Sequence, residues 1–146
     1  MIKNTVINAE LGYALATARH KDAIVICDAN MPIPDGCNVI DVSLIRGVPT
    51  LEQTMCAIMN DLVAERYEVF ELMPQYNDAM YQKIQPLLPQ LPGGTISQDR
   101  LTETMQKAKV VVRTGDFGSC CTMVLYSASG MDKYVKQYDC SFSLEK

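Results

Sequence analysis

The spacing of apolar residues predicts short strands that alternate with helices. The runs Ala23–Cys27 and 110–112 are unbroken, apolar and rich in β-branched residues, which is typical of strands covered on both faces. Shorter runs at residues 38–42, 67–72 and 123–126 predict three further strands. The pattern therefore predicts at least five strands.

Two helices near the amino terminus are marked by their capping residues. Asn8 is a predicted N-cap for a helix that continues to about Arg19, with His20 closing it. Thr50 and Gln53 have the spacing of a capping box, in which each side chain binds the other residue's backbone N–H. A second helix is therefore expected to begin at residue 51.

The later part of the chain follows the same alternation. Helices are predicted over residues 77–85 and from Ser97 onward, separated by a Pro-rich loop over residues 87–94 that Pro86 helps to start. Helices and strands with short connections predict a three-layer α/β/α fold around a mostly parallel or mixed sheet. Residues 1–146 are expected to form a single domain.

Composition narrows the class of protein. The chain of 146 residues is 48% hydrophobic and 21% charged, with a formal charge of −4, as in ordinary globular domains. Lys and Arg do not cluster with aromatic residues, so no nucleic-acid partner is expected. The sequence predicts neither a secretory signal nor a membrane span, and a cytoplasmic location is the expectation.

The cysteines do not have the spacing of a metal site. The six cysteines include no C-x-x-C pair, and the chain has one histidine, so no zinc site is predicted. We expect free, mostly buried thiols. They are Cys27, Cys37, Cys56, Cys120, Cys121 and Cys140.

Two segments of the chain are candidate sites of ligand binding or catalysis. Asp28 follows a buried strand, where the ligand crevices of α/β sheets open. The segment RTGDFGS, residues 113–119, follows another such strand and would either line the same crevice or form a hairpin turn. His20 is either an ordinary surface or capping group or a residue that transfers a proton near neutral pH.

Several reaction classes lack their sequence signature. No Ser-His-Asp or Cys-His order, P-loop or Rossmann glycine spacing is present. Acid/base chemistry on a small neutral ligand remains, and a sugar fits that description.

The stretch around His20 resembles a known family. The residues that carry the resemblance follow the order H-x-D-x-I-x-x-x-D-A-x-x-P-I-P from residue 20 to residue 34, and Val112-Arg113-Thr114-Gly115-Asp116 is similar to the family's second motif. The chain resembles the D-ribose pyranase and L-fucose mutarotase family, and is closer to the ribose pyranase branch. Further matches are Asn8, Cys27, Ile40-Asp41, Gly47-Val48-Pro49 and Gln53.

The resemblance implies an isomerase that opens and closes the ring of a free monosaccharide. It implies an α/β/α subunit in a ring, commonly a decamer, with the sugar near subunit interfaces and with no metal or cofactor. It implies His20 as the proton donor and Asp28 as a ligand of sugar hydroxyls.

Four residues depart from the family pattern at positions that face the sugar. Arg19 stands where a glycine is expected, and Gln98 where a histidine or another basic residue is expected. Cys120 replaces a tyrosine and Thr122 replaces an asparagine. By position, Gln98, Cys120 and Thr122 are therefore the remaining candidates for binding the sugar.

These departures leave alternatives open. One is a sugar-binding or regulatory homologue of the same fold that lacks catalysis, and another is a purely structural assembly protein. Residues 131–146 run past the family's usual end and form an atypical C-terminal extension.

Overall fold

A six-stranded mixed sheet forms the centre of the protein. The computed structural model describes residues 5–130, so the predicted extension at 131–146 and Cys140 lie outside the described residues. The strands are β1 (Ala23–Cys27), β2 (Val39–Asp41), β3 (Ala64–Phe70), β4 (Gly93–Ile96), β5 (Val110–Arg113) and β6 (Met123–Ser127). The helices are α1 (Ala9–Ala16), α2 (Leu51–Asp61), α3 (Met73–Tyr76), α4 (Asp78–Leu87) and α5 (Gln98–Lys107).

The strand order is β2-β5-β1-β6-β3-β4. The pairs β2/β5, β5/β1 and β3/β4 are parallel, whereas β6 runs antiparallel to both of its neighbours, β1 and β3. The carboxyl ends of five strands therefore lie at one edge of the sheet, together with the amino end of β6. We call this the carboxyl edge and the opposite one the amino edge.

Helices cover both faces of the sheet, which confirms the predicted α/β/α layers. On one face, side chains of α1, α2, α3 and α4 pack against apolar residues such as Ile24, Ile26 and Val112. On the other face, Leu101 and Met105 of α5 pack against Val25, Val111 and Val124. Burial on both faces explains why β1 and β5 are continuous apolar runs.

The start of α2 confirms the predicted capping box. The Thr50 hydroxyl accepts from the Gln53 backbone N–H at 3.1 Å, and the Gln53 side chain accepts from the Thr50 N–H at 3.0 Å. Such a cap contributes about 1 kcal/mol to helix stability. It fixes where α2 begins, at the carboxyl edge.

The prediction that α1 continues to Arg19 was wrong, so His20 does not close it. The helix ends at Ala16, and the Thr17 hydroxyl donates to the Tyr13 carbonyl at 2.7 Å. Asp22 then accepts from the Arg19 N–H at 2.8 Å, which favours a turn over continued helix. His20 therefore lies in a turn before β1.

The Pro-rich segment was also predicted incorrectly. Pro86 lies within the last turn of α4, where a missing backbone N–H affects few helical hydrogen bonds. Part of the predicted loop is the edge strand β4. It contains Gly93 and Gly94, and because glycine has a low β propensity, the sequence did not predict a strand there. Gly93 is required there, because a Cβ would lie 2.6 Å from the ring of Tyr67.

The hairpin interpretation of RTGDFGS is wrong. β5 and β6 are not neighbours, because β1 lies between them. The segment instead crosses the carboxyl end of β1, where the Ala29 N–H donates to the Asp116 carbonyl at 2.8 Å. It lines the carboxyl edge beside Asp28.

Within residues 5–130, no helix has the length and apolar character needed to cross a bilayer.

Candidate active site

Asp28 is a buried carboxylate at the carboxyl edge. It follows β1 directly and is only 8% exposed. One carboxylate oxygen accepts from the Asn30 N–H at 2.9 Å, and the other lies 3.5 Å from the Thr122 hydroxyl, which donates to it. Burial raises the pKa of Asp28, with a contribution from the nearby Asp116, although the hydrogen bonds from Asn30 and Thr122 oppose the rise.

This burial leads to a prediction about stability. A carboxyl group whose pKa is higher in the folded state stabilises the fold below its unfolded value and loses that contribution as the pH rises through the folded value. Asp28→Asn is therefore expected to melt at a higher temperature than wild type at pH 7. The gain should shrink toward pH 3.8, the ordinary carboxyl value.

Thermal unfolding followed by circular dichroism between pH 4 and pH 8 measures this difference. Asp35→Asn, at an exposed loop carboxylate, is the matched control and should melt like wild type at each pH. Equal melting of Asp28→Asn and wild type at every pH would contradict the prediction.

The structure brings Thr122 and Cys120 to Asp28. Thr122 is fully buried immediately before β6, and its carbonyl accepts from the Phe70 N–H at 2.9 Å. Cys120 has φ of 54°, a left-handed conformation that is uncommon for a residue other than glycine. Burial and the nearby Asp28 raise the pKa of the Cys120 thiol. Asp28, Cys120 and Thr122 thus form one cluster.

Gln98 lies farther along the same edge. It begins α5 immediately after β4, and β4 is separated from β1 by β6 and β3. Three strand spacings amount to about 14 Å. Its side-chain amide lies 3.5 Å from the Thr102 hydroxyl of the same helix. The structure therefore does not bring Gln98 into hydrogen-bonding distance of Asp28.

His20 lies at the amino edge, where it pairs with Glu65. The turn of residues 19–22 is closed by a 3.0 Å hydrogen bond from the Asp22 N–H to the Arg19 carbonyl. His20 Nε2 is 2.8 Å from Glu65 Oε2. Because a carboxylate only accepts, Nε2 carries the proton of this bond, and Nδ1 is the nitrogen that is free for other chemistry.

A bulge in β3 presents Glu65 to the histidine. Ala64 is opposite Ser127 and Arg66 is opposite Tyr126, so Glu65 is an extra residue in the pairing with β6. Bulges re-aim side chains and are frequent beside functional sites. Sequence reasoning missed Glu65 because an isolated glutamate in a strand carries no signal of a bulge.

His20 and Asp28 are far apart in the folded chain. They lie at opposite ends of β1, a strand of five residues that spans about 16 Å. A monosaccharide is too small to bridge that distance. The structure therefore contains two separate groups of polar side chains, the His20–Glu65 pair at the amino edge and the Asp28 cluster at the carboxyl edge.

Asp116 supports the Asp28 cluster at the carboxyl edge. Its carboxylate accepts from the Leu51 N–H at the start of α2, at 2.9 Å, and from the Gly118 N–H at 2.8 Å. The Thr114 hydroxyl donates to the Cys27 carbonyl at 2.8 Å. These bonds fix the loop after β5 against β1.

No three His, Cys, Asp or Glu side chains of the described part of the chain are placed to hold a metal ion together.

Comparisons with known proteins find related sequences that span most of the chain. The profile of the RbsD / FucU transport protein family matches residues 1–129. A D-ribose pyranase of Actinobacillus succinogenes is 31% identical over 135 residues, which cover 87% of this chain and 97% of that protein. A D-ribose pyranase of Photobacterium profundum is 36% identical over 124 residues, which cover 80% of this chain and 89% of the relative.

Solved structures show the same architecture. Bacillus subtilis RbsD complexed with D-ribose superimposes with a TM-score of 0.83 at 28% identity, covering 88% of this chain and 98% of that chain. A fucose mutarotase of Streptococcus pneumoniae in complex with L-fucose has a TM-score of 0.73 at 16% identity, with 88% and 98% covered, and shares the fold. Taken with the profile match, these similarities show that the chain belongs to the RbsD / FucU family.

Proposed function

We propose that this protein is a monosaccharide pyranase or mutarotase, an isomerase that opens and closes the ring of a free sugar. The observation that carries the proposal is the His20–Glu65 hydrogen bond, in a chain whose relatives include D-ribose pyranases. A histidine held by a carboxylate has a fixed tautomer and orientation, as proton transfer requires.

Ring opening requires two proton movements. The C1–O bond within the ring breaks, its electron pair goes to the ring oxygen, and that oxygen takes a proton. The anomeric hydroxyl releases its proton to solvent and becomes the carbonyl. Nδ1 of a protonated His20 donates the proton to the ring oxygen, since Nε2 is bound to Glu65. Closure is the reverse sequence, so each cycle leaves the enzyme unchanged.

Asp28 acts as the sugar ligand. Its carboxylate has acceptor capacity beyond the bonds from Asn30 and Thr122, and sugar hydroxyls are donors that match it. Cys120 and Thr122 lie beside Asp28, so their side chains either bind substituents of the sugar or exclude them sterically. Gln98 is proposed as a further ligand at the same edge. Because β4 is three strands away from β1, Gln98 would contact only a sugar that is bound at Asp28 of a neighbouring protomer.

A ring of protomers completes the site. His20 of one protomer would face Asp28 of the next, and a decamer is the assembly that we propose. Apolar side chains surround the carboxyl edge in the described chain, since Leu44 is 78% exposed and Ile45 65%. Phe117 is 47% exposed beside them, with Arg46 stacked 4.9 Å from its ring. An apolar surface of this kind is typical of subunit contacts.

Magnetisation-exchange NMR between sugar anomers tests the function. The wild-type protein is expected to accelerate exchange for at least one pentose or 6-deoxyhexose, compared with buffer. Heat-denatured protein is the control. If no sugar of such a panel exchanged faster than in buffer, the proposed function would be wrong.

Mixing inactive variants tests the shared site. His20→Ala and Asp28→Asn protomers, co-refolded in equal amounts, are expected to recover exchange activity, because about a quarter of the interfaces would then pair an intact His20 with an intact Asp28. Each variant refolded alone should stay inactive. A site within one protomer predicts no recovery, which is the result that would overturn the ring arrangement.

We also place the protein in the cytoplasm. Cys27, Cys37, Cys56, Cys120 and Cys121 are free thiols, which persist in reducing compartments.

A further inference from the structure

The peptide group between Ala29 and Asn30 is held at both of its polar ends. Its N–H donates to a carboxylate oxygen of Asp28 at 2.9 Å. Its carbonyl oxygen accepts two hydrogen bonds from the Arg113 guanidinium, from Nε at 3.0 Å and from Nη2 at 2.8 Å. Hydrogen bonds in series polarise one another, so a cation on the carbonyl makes the N–H a stronger donor.

Arg113 is placed for this contact by the sheet itself. It is the last residue of β5, and the parallel register pairs it with Cys27, the residue before Asp28. Its third nitrogen, Nη1, donates to Asp41 at 2.6 Å and to the Ser43 hydroxyl at 3.1 Å. Burial opposes ionisation of Asp41, but hydrogen bonds from Ser43 and Arg113 hold the pKa of Asp41 below its ordinary value. The guanidinium is therefore anchored on both sides.

We propose that Arg113 is a positioning residue for Asp28, which fixes the Ala29–Asn30 peptide so that the carboxylate keeps the orientation and charge that bind the sugar. This inference rests on the proposed function, because Asp28 is its sugar ligand. Because Arg113 acts through this peptide, we assign it no contact with the sugar or the reacting atoms. A planar, bidentate donor is needed for the carbonyl, which a lysine cannot supply.

The charge environment of Asp28 gives the direction of the effect. The groups that face it are Asp116 from the loop after β5, Cys27 of β1, and Cys120, Cys121 and the Thr122 hydroxyl before β6, besides the Asn30 N–H. Asp116 disfavours ionisation of Asp28, whereas the two hydrogen-bond donors favour it. Weakening the Asn30 donor therefore raises the pKa of Asp28.

Arg113→Lys is the variant that tests this inference. We expect KM for the sugar to rise about 5- to 20-fold, as when one charge-assisted hydrogen bond is weakened, while kcat changes less than twofold. We also expect the acidic limb of kcat/KM to move to higher pH, because Asp28 must be ionised to accept from sugar hydroxyls. Partial unfolding would instead lower the apparent kcat and kcat/KM by the same factor, leaving KM and the acidic limb unchanged.

A direct titration separates this inference from the proposed function. Carboxyl ¹³C NMR of Asp28 without sugar should show a higher pKa in Arg113→Lys than in wild type. Arg66→Lys is the matched control, since Arg66 also pairs with a carboxylate, Glu68 at 3.4 Å, but away from Asp28. If no sugar exchanged with any variant, the proposed function would fail, and the titration would still test Arg113.

An unchanged Asp28 titration and an unchanged KM in folded Arg113→Lys would overturn the inference. If that variant does not fold, Asp41→Asn removes only the outer anchor of the guanidinium. It should raise the pKa of Asp28 and KM in the same direction by a smaller factor. If Asp28 then had the same pKa in Asp41→Asn as in wild type, the inference would be overturned as well.

Discussion

His20→Ala is expected to lower the rate constant for anomer exchange by roughly 10²- to 10⁴-fold, the usual contribution of a general acid. The loss follows from the chemistry of ring opening, since the ring oxygen must receive a proton as the C1–O bond breaks. Magnetisation-exchange NMR at saturating sugar measures it. Added imidazole should restore part of the rate, because a free imidazole can enter the space left by the side chain.

Glu65→Gln separates the role of the histidine from that of its partner. The amide still reaches His20 but no longer imposes the same tautomer, so we expect a smaller loss of exchange rate than in His20→Ala. Glu103→Gln, at an exposed position on α5, is the matched control and should exchange like wild type. A wild-type rate in His20→Ala would exclude His20 as the proton donor.

Gly115→Ala is expected to destabilise the fold by about 1–3 kcal/mol, the usual range for forced overpacking. A Cβ at this position would lie 2.6 Å from the Ile45 carbonyl oxygen and closer still to that of Val48. Both atoms are backbone and cannot turn away. The residue is already fixed by hydrogen bonds from the Gly47 N–H to its carbonyl and from its own N–H to Pro49.

Gly12→Ala supplies the opposite result in the same chain. Gly12 lies within α1 and has nothing within 4 Å of its added Cβ, so alanine should stabilise the fold by roughly 0.5–1 kcal/mol. Urea unfolding of both variants measures the contrast. Wild-type stability in Gly115→Ala would show that the loop of residues 44–48 yields more readily than these contacts indicate.

The sequence predicted elements whose signal is local. The apolar runs of β1 and β5, and the Thr50 and Gln53 cap, each depend on residues close together in the chain, and the structure confirms them. β4 was missed because its strand character comes from parallel pairing with β3, in which Gly93 is opposite the distant residue Tyr67. The end of α1 was misplaced because Thr17 and Asp22 offered the backbone competing hydrogen bonds.

The candidate residues His20 and Asp28 could be named from the sequence, but their relative placement could not. The resemblance implied that His20 and Asp28 act on one sugar, and only the direction of β1 shows that the two residues lie at opposite edges of the sheet. Glu65 and Arg113 lie 45 and 84 positions from the groups that they hold, His20 and the Ala29 carbonyl. Contacts of that separation depend on strand register, which a single sequence does not reveal.

The place of β6 in the sheet has a consequence for biosynthesis. β6 is the last strand of the described chain, yet it lies between β1 and β3 and is the connection between two part-sheets, β2-β5-β1 and β3-β4. Until residues 123–127 leave the ribosome, β1 and β3 each present an unpaired apolar edge. Open edges of this kind promote aggregation. The nascent chain is therefore most prone to aggregation before β6 is synthesised and pairs with β1 and β3.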